Sequence, residues 1–398
     1  EKNIYVEGQI TPYNQTLKDW YLPLVYQQVK ETSEFEKRRK EVDEFNSKNK
    51  WRKRGLSLMP IQFGVAFGLQ FLNQAGALVH IYIDGSVLIS HGGVEIGQGL
   101  NTKMLQIASE ALDLSNTYYY FSKKKKIVHL METASNIVIN ASPTAASVGS
   151  DLNGNAVYNA CKILVERLKP YREKMPNKSF QEIVDAAYRD RVNLSANGFY
   201  KTPNIGYDDK KNEGLLFQYY TTGAGCTEVE IDTLTGDHTI LRTDLCMDLG
   251  RSLNYGIDVG QIEGGFMQGV GWCTCEETLH FPNGHLYTKG PKEYKIPGPR
   301  DIPQDFRIYT YEGAKVSNLN SIHGSKGIGE PPLLLGCTVL FAIRDAIKAA
   351  RKCNNNNTVV VLRSPATPER IRIACDDEIV RNCKVEKKDG ELPWVIRV

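Results

Sequence analysis

From Leu78 to His91 the chain reads LVHIYI, Asp84-Gly85, SVLISH. Two runs of alternating apolar and polar positions joined by Asp-Gly predict a β-hairpin. Gly92 and Gly93 end it. Past GVEIGQG, the stretch LNTKMLQIASEALDL places Met104, Ile107, Ala108, Ala111 and Leu112 at the spacing of one helix face. The same plan returns later. CTEVEID, the turn TLTGD and HTILRTDLCMDLG make a second hairpin from Cys226 to Gly250. Gly260-Gln261 follows in the glycine-rich GQIEGGFMQGVG, leading toward a further helix. Two hairpins, each leading to a Gly-Gln and a helix, predict an α+β fold in two similar lobes, about 54–200 and 215–352, with a surface tail over 353–398. Between the hairpins, SPTAASVGSDLNGNAVYNACKILVERL passes from small residues into a helix with Asp151 near its start. Ahead of the first, residues 34–54 read as a solvated helix docking through Val42 and Phe45.

Composition narrows the function classes. With 41% hydrophobic and 24% charged residues, the 398-residue chain is of ordinary globular make-up, neither collagen-like nor wholly disordered. Lys+Arg 49 against Asp+Glu 46 is too near balance to argue for nucleic acid or an anionic membrane as the main partner. The longest apolar run, Leu333 to Ile343, is too short to span a bilayer. The chain opens Glu-Lys-Asn without an initiator Met or a signal sequence, which predicts a piece of something longer. Nine cysteines at low density read as reduced thiols in a cytosolic protein, and Cys273-Thr274-Cys275 lacks the second pair of a zinc site. Lys123 to Lys126 read as a solvated loop or strand edge. There is no GxxxxGK[ST], HExxH, GxSxG or GxGxxG after a strand, and the seven histidines fall in no metal-ligand spacing.

Three turns of small residues stand out: Gly97-Gln98-Gly99, Thr144-Ala145-Ala146-Ser147, and Gly327-Ile328-Gly329-Glu330-Pro331-Pro332. Small residues let backbone approach a ligand, and free N–H groups at a helix start attract anions. Tight connections in a compact fold would look the same. Glu330, ahead of two prolines and an apolar-spaced helix, is either a base or a helix cap. Phe67, between Gly64 and Gly68, offers a face to a flat substrate or simply fills the core.

Longer motifs carry a resemblance. GGVEIGQGLNTKMLQIASEAL, ASPTAASVGSDLNGNAV, EVEIDTLTGDHTILRTDLCMDLG, DVGQIEGGFMQGVG and SKGIGEPPLLLG, with SPATPERIRIAC and the closing PWVIRV, resemble the C-terminal part of the molybdenum-cofactor domain of the xanthine dehydrogenase and aldehyde oxidase family. The likeness runs from Asn3 to Val398. It implies a molybdenum–molybdopterin cofactor enclosed between the lobes, and hydroxylation of an electrophilic C–H carbon with oxygen from water. By resemblance, Glu330 matches the catalytic glutamate of the family, Gln98 and Gln261 match cofactor-binding glutamines, and Ala145, Ala146 and Ser147 match the small segment against the cofactor. The Ala146 backbone lies next to the metal in that comparison, without a side-chain ligand. Phe67 matches one of two phenylalanines that sandwich a planar substrate, and Gly68 stands where a threonine is usual. FLNQAGAL and the prolines after Glu330 are similar to the dehydrogenase side, implying oxidation of hypoxanthine and xanthine to urate; aldehydes and N-heterocycles are the alternative substrates. A non-catalytic paralogue is the reading outside enzymes. The family also implies two [2Fe-2S] clusters, FAD, a purine-orienting arginine and glutamate, a second phenylalanine and another glutamine, all upstream of residue 1. A homodimer in the cytoplasm, or in the peroxisome, with NAD or oxygen taking the electrons, completes what the resemblance implies. The lysine run is an insertion relative to the family pattern.

Overall fold

Burial of every second residue along Gln74–Ile81, with Ala75, Ala77, Val79 and Ile81 inward, is what its alternating pattern demands. In the computed structural model this strand pairs antiparallel with Val87–His91 across the Asp84-Gly85 turn, where Gly85 takes the left-handed φ of 81°. The structure describes residues 2–114, 127–314, 320–383, 390, 393 and 396–397; the lysines at 123–126 lie outside them. Ser195–Lys201 pairs antiparallel on the other edge of Gln74–Ile81, and Val128–Leu130 runs parallel to Val87–His91. The helices Leu100–Ala111 and Gly149–Lys174 pack together, and the longer lies on the sheet. Val79, Ile89, Met104, Ile107, Val157 and Leu164 fill the space between. Contact is close enough that a Cβ on Gly198 would lie 1.9 Å from Ala156 O, so the strand tolerates only glycine there.

The second hairpin also forms, Tyr219–Asp232 against His238–Asp248. Asp305–Thr310 adds in parallel to the latter. Arg52–Val65 joins antiparallel to Tyr219–Asp232, in register from Arg52 opposite Asp232 to Val65 opposite Tyr219. That strand begins the stretch read from sequence as the first lobe, yet its hydrogen bonds belong to the second sheet. Its partner lies more than 150 residues away, beyond the reach of any local pattern. The Cys337–Cys353 helix presses on this sheet as closely as its counterpart does on the first: a Cβ on Gly55 would fall 1.9 Å from Ala342 O.

Three expectations are revised. The glycine-rich run is not a connection before a helix but lies inside one, Tyr255–Thr274. The segment after 353 does not lie on the surface alone: Ala366, Ile371, Ala374 and Cys375 are buried in the second core, and Ala366 N donates to Cys273 O at 2.7 Å. The Phe35–Lys48 helix packs through Val42, as its pattern required, but also buries Arg38, which pairs with Glu228 at 2.9 Å and Asp244 at 3.2 Å. A buried arginine satisfied by two carboxylates looks in sequence like any surface charge.

Candidate active site

Glycines in the Tyr255–Thr274 helix are what bring the site together. A Cβ on Gly269 would meet Leu333 O at 2.0 Å, and one on Gly265 would meet Pro332 Cβ at 3.0 Å. Without side chains at these positions the helix lies directly against Pro331–Leu335. Gly264 faces open space instead, with nothing within 4 Å of a Cβ there. Gln261, Gly264 and Gln268, at helical spacing, therefore line a cleft together with Gly329 and Glu330.

Glu330 precedes only a five-residue helix, Pro331–Leu335, and makes no side-chain capping bond to it. The capping alternative fails on that geometry. Its carboxylate is held from the other lobe: Ser147 Oγ donates to Glu330 Oε2 at 2.8 Å and accepts from Glu330 N at 3.0 Å. Glu330 is exposed, and Oε1 makes no bond among the described residues. Ala146 and Ser147 both take left-handed backbone, at φ 55° and 57°, a conformation rare for residues with a Cβ and characteristic of built functional turns. Their N–H groups are left unbonded among the described residues. Gly327 is required opposite them, because its Cβ would lie 2.3 Å from Ser147 O.

Beneath Glu330 the loop is clamped. Lys326 Nζ pairs with Asp248 at 2.5 Å, both buried. Thr221 Oγ1 donates to Gly327 O at 2.7 Å, and Gly327 N donates to the Tyr219 hydroxyl at 2.8 Å. Tyr219 donates in turn to Asp151 Oδ2 at 2.5 Å, while Ile322 N reaches Asp151 Oδ1 at 3.3 Å. Burial pushes the Asp151 carboxyl up to about 7, against the pull of those bonds and of Lys103. The same burial, next to Asp151, drives the Tyr219 hydroxyl well above its usual range. Lys103 joins Asp258 at 2.6 Å, and Asp258 also accepts from Ser252 Oγ at 2.6 Å, tying the Leu100–Ala111 helix to Tyr255–Thr274 across the lobes.

The remaining wall is the turn before Leu100. Gln98 folds back on it, donating from Nε2 to Val94 O at 2.9 Å and accepting from Ile96 N at 2.7 Å. Glu95 accepts from the backbone N–H groups of Gly97, Gly99 and Asn101, taking up free donors at the helix start. Thr144 Oγ1 accepts from Val94 N at 2.9 Å, fastening the second small-residue turn to this one.

The result is a cleft of about 530 Å³ lined by all three turns, within the size range of ligand sites. Gln98, Ala145, Ser147, Gln261 and Glu330 line it. Ala146, Phe67 and Gly68 do not. The Ala146 side chain packs against the first core, and Phe67 does the same from a loop clasped by Asn73, which exchanges bonds of 2.9 Å with Phe67 N and O. Gly68 is exposed, with open space where a side chain would go. Sequence reasoning missed Gln268, seven residues and two turns beyond Gln261, although that spacing was legible. It missed Lys103, Lys326 and Tyr219, whose partners come from distant segments.

A pyranopterin has polar ring edges and an anionic tail, and the residues here fit it. The unbonded N–H group of Ser147, the amides of Gln261 and Gln268, which bond nothing among the described residues, and glycine walls at Gly97 and Gly264 offer neutral donors beside open space, and the unbonded N–H of Ala146 lies next to that lining. No cluster of three or more His, Cys, Asp or Glu side chains is placed to ligate a metal among the described residues. The donor set suits an organic cofactor that brings its own metal ligands.

A family model described as the molybdopterin cofactor-binding domain matches residues 28–303. Over 397 residues the chain is 54% identical to a xanthine dehydrogenase of Emericella nidulans, covering 100% of this chain and 28% of that protein. Over 400 residues it is 50% identical to a xanthine dehydrogenase/oxidase of Felis catus, covering 100% and 29%. The chain thus spans less than a third of these relatives. An aldehyde oxidoreductase structure from Desulfovibrio desulfuricans superposes with a TM-score of 0.72 at 25% identity, covering 94% of this chain and 37% of that one. A CO dehydrogenase from Oligotropha carboxidovorans shares the fold at a TM-score of 0.75 and 17% identity, over 93% and 47%.

Proposed function

Because the chain belongs to the molybdopterin cofactor-binding domain family, we propose that its cleft is the cofactor-holding, base-bearing part of a molybdenum hydroxylase that oxidises hypoxanthine and xanthine to urate. The names of the relatives that align over the whole chain support the purine substrate. The observation that carries the role of this chain is the Ser147 hydroxyl fixing Glu330 Oε2 while Oε1 is unbonded among the described residues. When bound, the molybdopterin supplies the two-electron redox centre at which the substrate carbon is oxidised. Glu330 Oε1 takes the proton released as oxygen is transferred, with Ser147 holding the carboxylate in one orientation. Backbone N–H groups of Ala146 and Ser147, with Gln98 and Gln261, hold the cofactor. Phe67, outside the cleft lining and only half-buried against the first core, offers its uncovered side to the planar substrate, and Gly68 borders it. The longer protein, a cytoplasmic homodimer in this reading, carries the iron–sulfur clusters and FAD that pass electrons onward to NAD or oxygen.

Aldehydes are a second substrate class favoured by one observation, the open space at Gly68. The test of the base is Glu330→Gln in the full-length enzyme. Molybdenum content and thermal midpoint should hold while kcat falls by at least about two orders of magnitude, the usual effect of losing a general base. Near-normal turnover at full cofactor loading would refute the assignment.

A further inference from the structure

Behind the crossing that places Glu330, two thiols meet. Cys273, near the end of the Tyr255–Thr274 helix, donates its S–H to Cys337 Sγ across 3.9 Å. Cys337 is the first residue of the Cys337–Cys353 helix. It is partly exposed, whereas Cys273 is buried. The bond from Cys273 draws the Cys337 thiol down, against the opposing effect of burial, and holds the Cys273 thiol up. The pair is therefore polarised, with one accessible nucleophile and one protonated partner in contact with it. Neither residue lines the cleft.

We propose that Cys273 and Cys337 are a redox-active pair, oxidised by a hydroperoxide to a disulfide that pins the Tyr255–Thr274 helix to the start of the Cys337–Cys353 helix. The Cys337 thiolate attacks a peroxide oxygen. An S–O bond forms, the O–O bond breaks, and the departing hydroxide is protonated to water, leaving a sulfenic acid. Cys273 then attacks the Cys337 sulfur, the S–O bond breaks, and the hydroxyl leaves as water with the Cys273 proton. Two thiols lose two electrons, and one hydrogen peroxide becomes two waters. The sulfurs must close from 3.9 Å to the disulfide bond length of about 2.0 Å. The link would join the helix bearing Gln261 and Gln268 to the element that follows Glu330 through Pro331–Leu335.

The test uses the full-length enzyme, exposed to hydrogen peroxide, alkylated, digested and mapped by mass spectrometry. A Cys273–Cys337 cross-linked peptide should appear and vanish after dithiothreitol. In Cys273→Ala, Cys337 should accumulate as a sulfenic acid trapped by dimedone; in Cys337→Ala, Cys273 should remain reduced. Three results would each overturn the proposal: a Cys273–Cys275 link in place of the expected one, oxidation of Cys273 without Cys337, or both thiols still alkylatable under peroxide that oxidises the exposed Cys353 and Cys383.

Discussion

Gly269→Ala isolates the contact on which the cleft depends. The added Cβ would stand 2.0 Å from Leu333 O, 2.9 Å from its carbonyl carbon and 3.1 Å from its Cα, where ordinary contact begins at 3.4 Å. All three neighbours are backbone atoms, so no rotamer change relieves the clash. The Tyr255–Thr274 helix and the Pro331–Leu335 turn must separate by more than about 1 Å, an overpacking that typically costs about 1–3 kcal/mol and here belongs at the upper end. Replacing a helical glycine by alanine returns about 1 kcal/mol of propensity, leaving a net loss of about 2 kcal/mol. Gly264→Ala is the matched control on the same helix. Nothing lies within 4 Å of its Cβ, so it gains propensity without a clash, but its methyl enters the cleft between Gln261 and Gln268. Thermal midpoint and molybdenum content, measured on the same full-length preparations, separate the two effects. Gly269→Ala should lower both, because the crossing carries Glu330 and Gln261 together. Gly264→Ala should keep or raise the midpoint while molybdenum falls. A Gly269→Ala protein as stable and as fully loaded as the parent would refute the account of how the site is assembled.

Two further predictions concern the substrate side and pH. Gly68→Thr meets open space, so the midpoint should stay within about 0.5 kcal/mol of the parent, while kcat/KM for xanthine relative to a bulky aldehyde should rise by a factor of a few to about ten, the worth of one hydrogen bond. An unchanged ratio would show that this position does not govern selectivity. For Asp151, the folded value of about 7 lies above the unfolded 3.8, so between those limits the folded chain keeps a proton that the unfolded chain has lost. Stability is therefore greatest below the unfolded value and declines as pH rises toward 7, by up to about 1.4 kcal/mol per pH unit. Asp151→Asn should flatten unfolding midpoints over that window, and an unaltered slope would place the titration elsewhere.

What the sequence disclosed divides by distance along the chain. Both hairpins were legible because their signals are local: Asp84-Gly85 closes one, and Thr233 to Asp237 turns the other, with Gly236 at φ 82°. The three small-residue turns could be picked out singly from their composition. Their meeting in one cleft could not, because Ser147 and Glu330 are separated by 183 positions. The glycine-rich helix misled for a related reason. Glycine's low propensity argues for a loop, and only the contact with Leu333 shows why a helix needs glycine at 269. Phe67, whose sequence setting suits either a substrate face or core filling, is half-buried against the first core from the loop clasped by Asn73.

The charges around the cleft explain why Glu330 is distinctive there. Four ionisable side chains line it: Lys103, Asp151, Lys326 and Glu330. Lys103 is paired with Asp258 and Lys326 with Asp248, each at 2.6 Å or less and nearly excluded from water. Breaking such a pair leaves an uncompensated buried charge and typically costs about 3–5 kcal/mol, so neither lysine is free to change partners. Asp151 is held toward its neutral form by burial and is occupied by Tyr219 and Ile322 N. Glu330 alone is exposed, with one oxygen fixed by Ser147 and the other unbonded among the described residues. The two lysine pairs and the Asp151 network thus form a rigid floor that carries little net charge. In the proposed reading, the proton of the reaction goes to the one carboxylate that is held in position and has an oxygen unbonded among the described residues.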